Sequence, residues 1–161
     1  MWLEQIRFER VPGRLLLGVV FLFFSAGGQA AELEKDYINP TPSYTHAIAV
    51  TGNGVKTIYV SGQVAISENG IPGTFAEQAD MALTNLVAQL ADAGATPADV
   101  IKLNTFIVDI DREKVALFSE ARNKHLHMSP PPASTVVGIS GLVREAFMIE
   151  IEAIAVVSAD E

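Results

Sequence analysis

Two glutamates lie two residues apart near the end of the chain, within the stretch "MIEIEAIAVV" from Met148 to Val157. Apolar residues alternate through this stretch, so it predicts a strand on which Glu150 and Glu152 share one face. Met148, Ile154 and Val156 lie on that face too, and Ile149, Ile151, Ala153 and Ala155 lie on the other. A glutamate in partly dry surroundings can orient water or move a proton. An edge strand with a wetted middle would explain the pair equally well, because Glu is rarely buried without a partner.

Other candidates for chemistry are weaker. The chain has no cysteine, which excludes disulfides, thiolate nucleophiles and zinc-thiolate sites. His125 and His127 are two residues apart on a predicted helix and do not share a face, so capping or solvent contact is favoured over a metal site. Ser61 and Ser134 have no base within their motifs, which argues against a serine nucleophile. "SENGIPG" is a turn, because no strand-to-helix pattern typical of a phosphate loop surrounds it.

The first half of the chain predicts two strands and a helix. "HAIAV" and "TIYVSGQV" alternate as strands and are joined by a turn at Asn53 and Gly54. Thr74 and Glu77 form a capping box that begins a helix, and Gly94 ends it. The helix has one apolar stripe, which comprises Phe75, Ala79, Ala82, Leu83, Leu86, Leu90 and Ala93.

The second half predicts a strand, a helix and two further strands. The first of these strands runs over 99–109, and Asp111 caps a helix that ends near Leu126. Val115, Phe118 and Ala121 are expected to face inward from that helix. The last two strands cover 134–139 and 147–157. The order β-β-α-β-α-β-β predicts an α+β domain, with two helices on one face of a single sheet.

The other face of this sheet has no helix to cover it. In the strand over 99–109 the helix-facing residues are expected to be Ile101, Leu103, Thr105 and Ile107. The opposite face would expose Phe106, Val108, Met148, Ile154 and Val156, a patch too large for a typical monomer. We therefore expect another subunit to cover it. Such an interface would enclose Glu150 and Asn104, with Ser61 or Gln63, and could form a small-molecule site.

Composition limits the partners of the chain. Its 161 residues indicate one domain. Eleven basic and nineteen acidic residues give a net charge of -8, and no basic patch is evident. An acidic chain repels polyphosphates, so nucleic-acid binding is not expected.

The first thirty residues form a separate segment. Three arginines precede the apolar run "LLLGVVFLFF", and small residues follow it in "SAGGQA". This pattern predicts a secretory signal peptide over residues 1–30, cleaved after Ala30, and a periplasmic or secreted domain over 31–161. The ten-residue run is short for a membrane span, which needs about 20 residues. A permanent membrane anchor is therefore the less favoured alternative, and no membrane contact is expected once the segment is removed.

Four ordered motifs resemble the RidA/YjgF family of reactive intermediate deaminases. They are "YVSGQVAI", "LADAGATPADVIKLNTFIVDI", "PPAST" and "IEIEAIAV", and the resemblance runs from about Tyr44 to the end. It implies a chorismate-mutase-like fold, a homotrimer and ligand clefts between subunits. It also implies hydrolysis of enamines or imines, such as 2-aminoacrylate and 2-iminopropanoate, to the 2-keto acid and ammonia. No metal and no organic cofactor are expected.

The resemblance also implies roles for individual residues. Glu150 matches the glutamate that positions or activates the hydrolytic water, and Glu152 is expected to be structural. Six further positions match residues that contact the ligand, namely Tyr44, Gly62, Asn104, Phe106, Ser134 and Thr135. For Gly62, a bulge or strand end is an equally good explanation.

One position departs from the family pattern. Ala133 stands where the deaminases have an arginine that binds the substrate carboxylate, and a methyl group cannot replace that charged bidentate contact. Arg144, in a loop about two residues longer than in the archetypes, is a candidate substitute. A solvated surface charge is the more usual role for such a residue.

Three functions therefore follow from the sequence. The leading hypothesis is an exported homotrimer that hydrolyses an imine, an enamine or a related labile C–N bond. The alternative is a trimer that binds or senses a small metabolite without catalysis, which Ala133 favours. Some members of the family are described as ribonucleases, and the acidic charge and the predicted export signal argue against that third function.

Overall fold

The computed structural model describes residues 32–66, 69–71, 73–126 and 129–159. The predicted signal peptide and His127 lie outside them. The strands are β1 (Glu34–Pro40), β2 (Thr45–Gly52), β3 (Val55–Val64), β4 (Val100–Val108), β5 (Ala133–Ile139) and β6 (Ile149–Ser158). The helices are α1 (Phe75–Asp92) and α2 (Arg112–Leu126), and a 3-10 turn at Pro97–Asp99 leads into β4.

All six strands form one sheet in the order β1-β2-β3-β6-β4-β5. Only β4 and β5 are parallel, and α2 connects them; every other pair is antiparallel. The predicted α+β architecture and its element order are confirmed, with β1 as an additional strand. The sequence did not indicate β1 because Ile38 is its only buried residue, so its pattern carries no alternation.

Helix α1 forms as its sequence predicts. Thr74 and Glu77 make the reciprocal capping box, and Gly94 has a φ of +75° at the end of the helix, where glycine is favoured. Its apolar stripe packs into the core against the buried face of the sheet. Every residue of the predicted stripe is buried: Phe75, Ala79, Ala82, Leu83, Leu86, Leu90 and Ala93.

Helix α2 begins after Asp111, whose carboxylate accepts from the backbone N–H of Lys114 at 2.8 Å. Phe118 and Ala121 are buried as predicted. The prediction for Val115 is wrong, because its side chain is 38% exposed. Val115 lies in the first turn of the helix, and burial begins only at Phe118.

One prediction for β4 is wrong for a different reason. Leu103, Thr105 and Ile107 face the helices, but Ile101 is 53% exposed and Val100 is buried instead. The pairing of β4 with β6 shifts register between Val100 and Lys102. An extra residue in a strand moves the residues before it to the opposite face.

The other face of the sheet carries no helix in the described part of the chain. Tyr37 and Tyr59 are each at least half exposed there, on either side of Ile48 in the strand pairing. Phe106, Ile154 and Val156 on this open face are partly buried. The prediction that Met148 lies on the open face is wrong, because Met148 precedes β6 and packs against the core. Among the described residues, no helix is long and apolar enough to cross a membrane.

Candidate active site

Glu150 lies directly over Gly62. Strand β3 shifts register against β6 between Val60 and Gln63, and Gly62 lies within this irregular segment. A methyl group at Gly62 would lie 2.5 Å from Cδ and 2.8 Å from Cγ of Glu150, far inside van der Waals contact. The missing side chain at position 62 therefore provides the space that the Glu150 carboxyl group occupies.

The Glu150 carboxyl group opens into a cavity of about 480 Å³. This volume suits a small organic ligand. The walls are mainly apolar, and the polar lining groups are Ser61, Glu150, Arg144 and the hydroxyl of Tyr44. The full lining is Tyr44, Ser61, Gly62, Val64, Ile66, Val143, Arg144, Phe147 and Glu150.

The surroundings of Glu150 disfavour its charge. Partial burial raises the pKa of Glu150 above its usual value, and the nearby negative charge of Glu152 adds to this effect. In the described part of the chain, no donor lies within hydrogen-bonding distance of the Glu150 carboxylate. An unpartnered carboxylate in a partly dry cavity can accept a hydrogen bond from water and take up its proton.

Glu152 has a different environment on the same strand. Asn104 Nδ2 donates to Glu152 Oε2 at 3.3 Å. Both residues line a smaller recess of about 250 Å³ beside Ser61 and Tyr59. Glu152 is thus hydrogen-bonded, as expected for a structural residue.

Tyr44 and Ser61 are fixed by hydrogen bonds at the edge of the cavity. Thr41 Oγ1 donates to the backbone oxygen of Tyr44 at 2.7 Å and accepts from its backbone N–H at 3.0 Å. The Tyr44 ring lies edge-on to His46, with centroids 4.9 Å apart. Ser61 Oγ donates to the backbone oxygen of Thr45 at 2.7 Å. The hydroxyl proton of Ser61 is thus engaged by the backbone.

Two side chains of α1 hold the cavity walls through the backbone. Gln78 is buried; its amide nitrogen donates to the oxygen of Ala146 at 2.8 Å, and its amide oxygen accepts from the N–H of Met148 at 2.9 Å. Asn85, two turns along the helix, donates to the oxygens of Val64 and Ile66 at 2.9 and 3.2 Å. The loop before β6 and the end of β3 are therefore both attached to α1.

Arg144 reaches the cavity from the loop between β5 and β6. Its guanidinium carbon lies 5.7 Å from the centroid of the Phe147 ring, within the range of a cation–π contact. Phe147 itself is only 3% exposed. Among the described residues, Arg144 has no carboxylate within 4.0 Å.

The predicted site residues, with Ala133, divide into three groups. Glu150, Tyr44 and Gly62 line one cavity. Asn104 and Phe106 lie beside β6, paired with Glu152 and Glu150 respectively. Ala133, Ser134 and Thr135 lie exposed at the start of β5, which β4 separates from β6. The described chain alone therefore does not bring Ser134 and Thr135 to Glu150.

The histidines do not form a metal site in the described structure. No group of three or more His, Asp or Glu side chains within the described ranges could hold a metal ion. His125 Nε2 lies 2.8 Å from Asp80 Oδ1, and Lys124 Nζ contacts the same oxygen at 2.6 Å. His125 therefore links α2 to α1, a contact that the sequence did not indicate.

Four lining residues were not predicted. Val64 lies in a predicted strand, and Phe147 begins the predicted strand over 147–157 on its helix-facing side. Ile66 and Val143 lie outside the predicted strands. The only sequence indication was the position of Arg144 shortly before Glu150. Loop residues of this kind become visible only when the strands are folded, because no local pattern fixes their direction.

Comparisons with known proteins agree with these motifs. The family model described as endoribonuclease L-PSP matches residues 34–157. A Dermatophagoides farinae protein named 2-iminobutanoate/2-iminopropanoate deaminase is 32% identical over 121 residues, covering 73% of this chain and 88% of that protein. The mitochondrial protein mmf2 of Schizosaccharomyces pombe is 37% identical over 110 residues, covering 66% and 83%.

Solved structures show the same fold. A YjgF-family protein from Neisseria meningitidis superposes with a TM-score of 0.63 at 27% identity, covering 76% of this chain and 94% of that chain. TdcF from E. coli, with bound serine, superposes with a TM-score of 0.60 at 28% identity, covering 75% and 91%. The matched family model, the curated relatives and the shared fold together establish that this chain belongs to the RidA/YjgF family.

Proposed function

We propose that this protein is a RidA-like deaminase that hydrolyses the C=N bond of a small imine, or of the enamine that tautomerises to it. The observation that carries the proposal is the Glu150 carboxylate, held against Gly62 in a mainly apolar cavity of about 480 Å³. The cavity has room for a short substrate and one water molecule.

Glu150 acts on the water in this proposal. Its carboxylate accepts a hydrogen bond from water, takes a proton from that water as the oxygen adds to the imine carbon, and passes the proton to the imine nitrogen. In the resulting carbinolamine, Glu150 takes the hydroxyl proton and returns it to the nitrogen as the C–N bond breaks, so that ammonia leaves and a carbonyl forms. Imine and water thus give ketone and ammonia without an oxidant or reductant, so we propose that no metal or organic cofactor takes part.

The names of relatives support the substrate class. The D. farinae and Bos taurus relatives are both named 2-iminobutanoate/2-iminopropanoate deaminase. TdcF, which shares this fold, holds serine in its solved structure. Short amino-acid-like molecules are therefore the first substrates to test.

The proposal includes a homotrimer with the site completed between subunits. Two observations support it: the open face of the sheet leaves Tyr37 and Tyr59 exposed, and Ser134 and Thr135 are remote from Glu150 within one chain. Light scattering of the purified protein would give three times the chain mass. A monomeric mass at micromolar concentration would contradict this part of the proposal.

Export is a further part of the proposal. Arginines followed by an apolar run and small residues support removal of residues 1–30, which takes away three Arg and two Glu and leaves a net charge of -9. Cell fractionation with mass determination would find the processed chain outside the cytoplasm. A full-length chain retained in the cytoplasm would contradict it.

The central experiment measures ammonia and keto-acid release from freshly generated 2-iminopropanoate. The unmodified protein is compared with Glu150→Gln and Ala133→Arg. We expect turnover that Glu150→Gln lowers by about 10²- to 10⁴-fold, while the oligomer is retained and the unfolding temperature is not lowered. Equal turnover by Glu150→Gln would contradict the role given to Glu150.

The alternative is a trimer that binds a metabolite without converting it. The exposed Ala133, in place of the family arginine, favours this function. Turnover that appears only in Ala133→Arg would indicate that the water-handling site is intact but that the natural ligand differs. Binding of a keto acid without turnover in any variant would favour the alternative.

A further inference from the structure

The Glu150 cavity contains two opposite charges that do not neutralise each other. Glu150 lies at one wall, over Gly62, and Arg144 lies at another wall, over Phe147. Neither has a charged partner of opposite sign within 4.0 Å in the described part of the chain. A ligand can therefore interact with each of them separately.

Arg144 is positioned by a contact with the Phe147 ring that leaves its N–H donors free. The Phe147 ring beneath it is buried, and Gln78 bonds the backbone on both sides of that ring, at Ala146 and Met148. A stacked guanidinium keeps its N–H donors free for a planar acceptor. The loop thus presents a guanidinium group whose stacking partner is fixed and whose N–H donors are available to a ligand.

Two lysines outside the cavity lining are engaged by oxygen atoms of this chain. Lys102 is on the open face of β4, and its Nζ donates to Thr135 Oγ1 at 2.7 Å. Lys114 donates to the backbone oxygens of Val108 and Asp109 at 2.9 and 3.0 Å. Among the described residues that line the cavity, Arg144 is the one cationic side chain. In a chain of net charge -8, an anionic ligand needs such a local cation.

We propose that Arg144 binds the carboxylate of the substrate, in the same chain as Glu150. An arginine at position 133, where this chain has Ala133, is thereby made dispensable. The inference rests on the proposed function and specifies its substrate class as short 2-imino acids with a small apolar side chain. The carboxylate accepts from the Arg144 guanidinium, the imine carbon faces the water held by Glu150, and the side chain contacts Val64, Ile66 and Val143.

The chain offers a matched control for this residue. Arg122 on α2 lies 6.0 Å over the ring of Phe118, a similar stacking contact, and it does not line the cavity. Arg122→Gln therefore removes a stacked guanidinium and one positive charge without changing the site.

The experiment is calorimetric titration of the full chain with 2-oxobutanoate and with its neutral amide, 2-oxobutanamide. Arg144→Gln should weaken binding of the acid roughly ten- to hundredfold, the range for a hydrogen bond to a charged group, and leave the amide unchanged. Arg122→Gln should match the unmodified protein. Arg144→Lys should recover part of the loss, because a point charge lacks the bidentate contact.

Three results would overturn the inference. They are unchanged binding of 2-oxobutanoate by Arg144→Gln, an equal loss for acid and amide, or no binding of the acid by the unmodified protein. The test is separable from the proposed function because it measures binding alone. Arg144-dependent binding without turnover would contradict the deaminase function and support the role of Arg144. Turnover that is unchanged in Arg144→Gln would support the deaminase function and contradict the role of Arg144.

Discussion

The surroundings of Glu150 and of Glu152 differ, although the two residues share one face of β6 and are only two positions apart. Glu152 is bonded by Asn104 at 3.3 Å and lies in a small recess. Glu150 lies against the bare backbone of Gly62 and opens into the larger cavity. A carboxylate with a donor is stabilised as an anion, and one without a donor in a dry cavity is left reactive toward protons. The neighbours on β3 and β4 thus determine which glutamate is hydrogen-bonded and which opens into the cavity.

The sharpest test of this comparison replaces each glutamate by glutamine. We expect Glu150→Gln to lower kcat for 2-iminobutanoate hydrolysis by about 10²- to 10⁴-fold, the usual range for loss of a general base. Glu152→Gln should lower it less than about tenfold, since the amide can still bond Asn104. The rates would be measured as ammonia release. Equal losses in the two variants would show that the environments are not functionally distinct.

The contact between Gly62 and Glu150 gives the next largest effect. Gly62→Ala should displace the carboxylate, lower kcat about 10- to 100-fold and destabilise the fold by about 1–3 kcal/mol. Kinetics and urea unfolding would measure both. Gly141→Ala is the matched control, because a methyl group there meets nothing within 4 Å. A fully active Gly62→Ala would mean that the carboxylate does not need its present position.

The pH profile is the third test. The raised pKa of Glu150 should place the acid limb of kcat/KM above the range of an ordinary glutamate. Since the charge of Glu152 is the smaller of the two causes, Glu152→Gln should move that limb to lower pH without restoring the ordinary value. If the acid limb does not move in Glu152→Gln, the charge of Glu152 does not raise the pKa of Glu150.

The raised pKa of Glu150 should also make the stability of the fold depend on pH. A carboxyl group whose pKa is raised by folding stabilises the native state at low pH, and this contribution is lost as pH rises through the folded pKa. Ionised Glu150 therefore costs stability at neutral pH. In thermal unfolding, Glu150→Gln should raise the unfolding temperature above that of the unmodified protein by more at pH 7 than at pH 4. A gain that is independent of pH would contradict the assignment.

The smallest effect concerns Thr105, which pairs with Ile151 on the buried side of β6, between the two glutamates in sequence. Its hydroxyl is buried and has no hydrogen-bond partner among the described residues. Thr105→Val should therefore stabilise the fold by about 1 kcal/mol and leave turnover unchanged.

Urea unfolding of Thr105→Val would measure that gain. Thr57→Val, on the open face of β3, is the control and should change stability by less than about 0.5 kcal/mol. Destabilisation by Thr105→Val would reveal a partner for the Thr105 hydroxyl.

Most of the fold could be predicted from the sequence because its elements carry strong local patterns. The capping box at Thr74 and the stripe of α1 are examples, and so is the alternation in β6. The errors lie where local pattern and tertiary pairing disagree. Ile101 looks like part of an alternating strand, but the register shift beside it reverses its face, and β1 depends on pairing with β2 rather than on any pattern of its own.

The site was predictable only in part, for the same physical reason. The position of Glu150 on an open face follows from alternation, and Tyr44 and Gly62 were proposed from the resemblance. Val143 could not be found, because a loop without periodicity gives no direction to its side chains. Phe147 was predicted as the first residue of the last strand, which in the structure begins at Ile149. Arg144 was noted from its place in the sequence, and its contact with Phe147 emerged only from the folded chain.

The grip of α1 on the cavity has a consequence for how this family can diversify. Gln78 and Asn85 hold the walls by main-chain atoms, and these atoms are present whatever side chain a wall residue carries. The side chains at positions 64 and 66 can therefore change while Asn85 still holds their backbone. Ligand preference can change through these two positions with little loss of folding stability, although the surrounding scaffold stays the same.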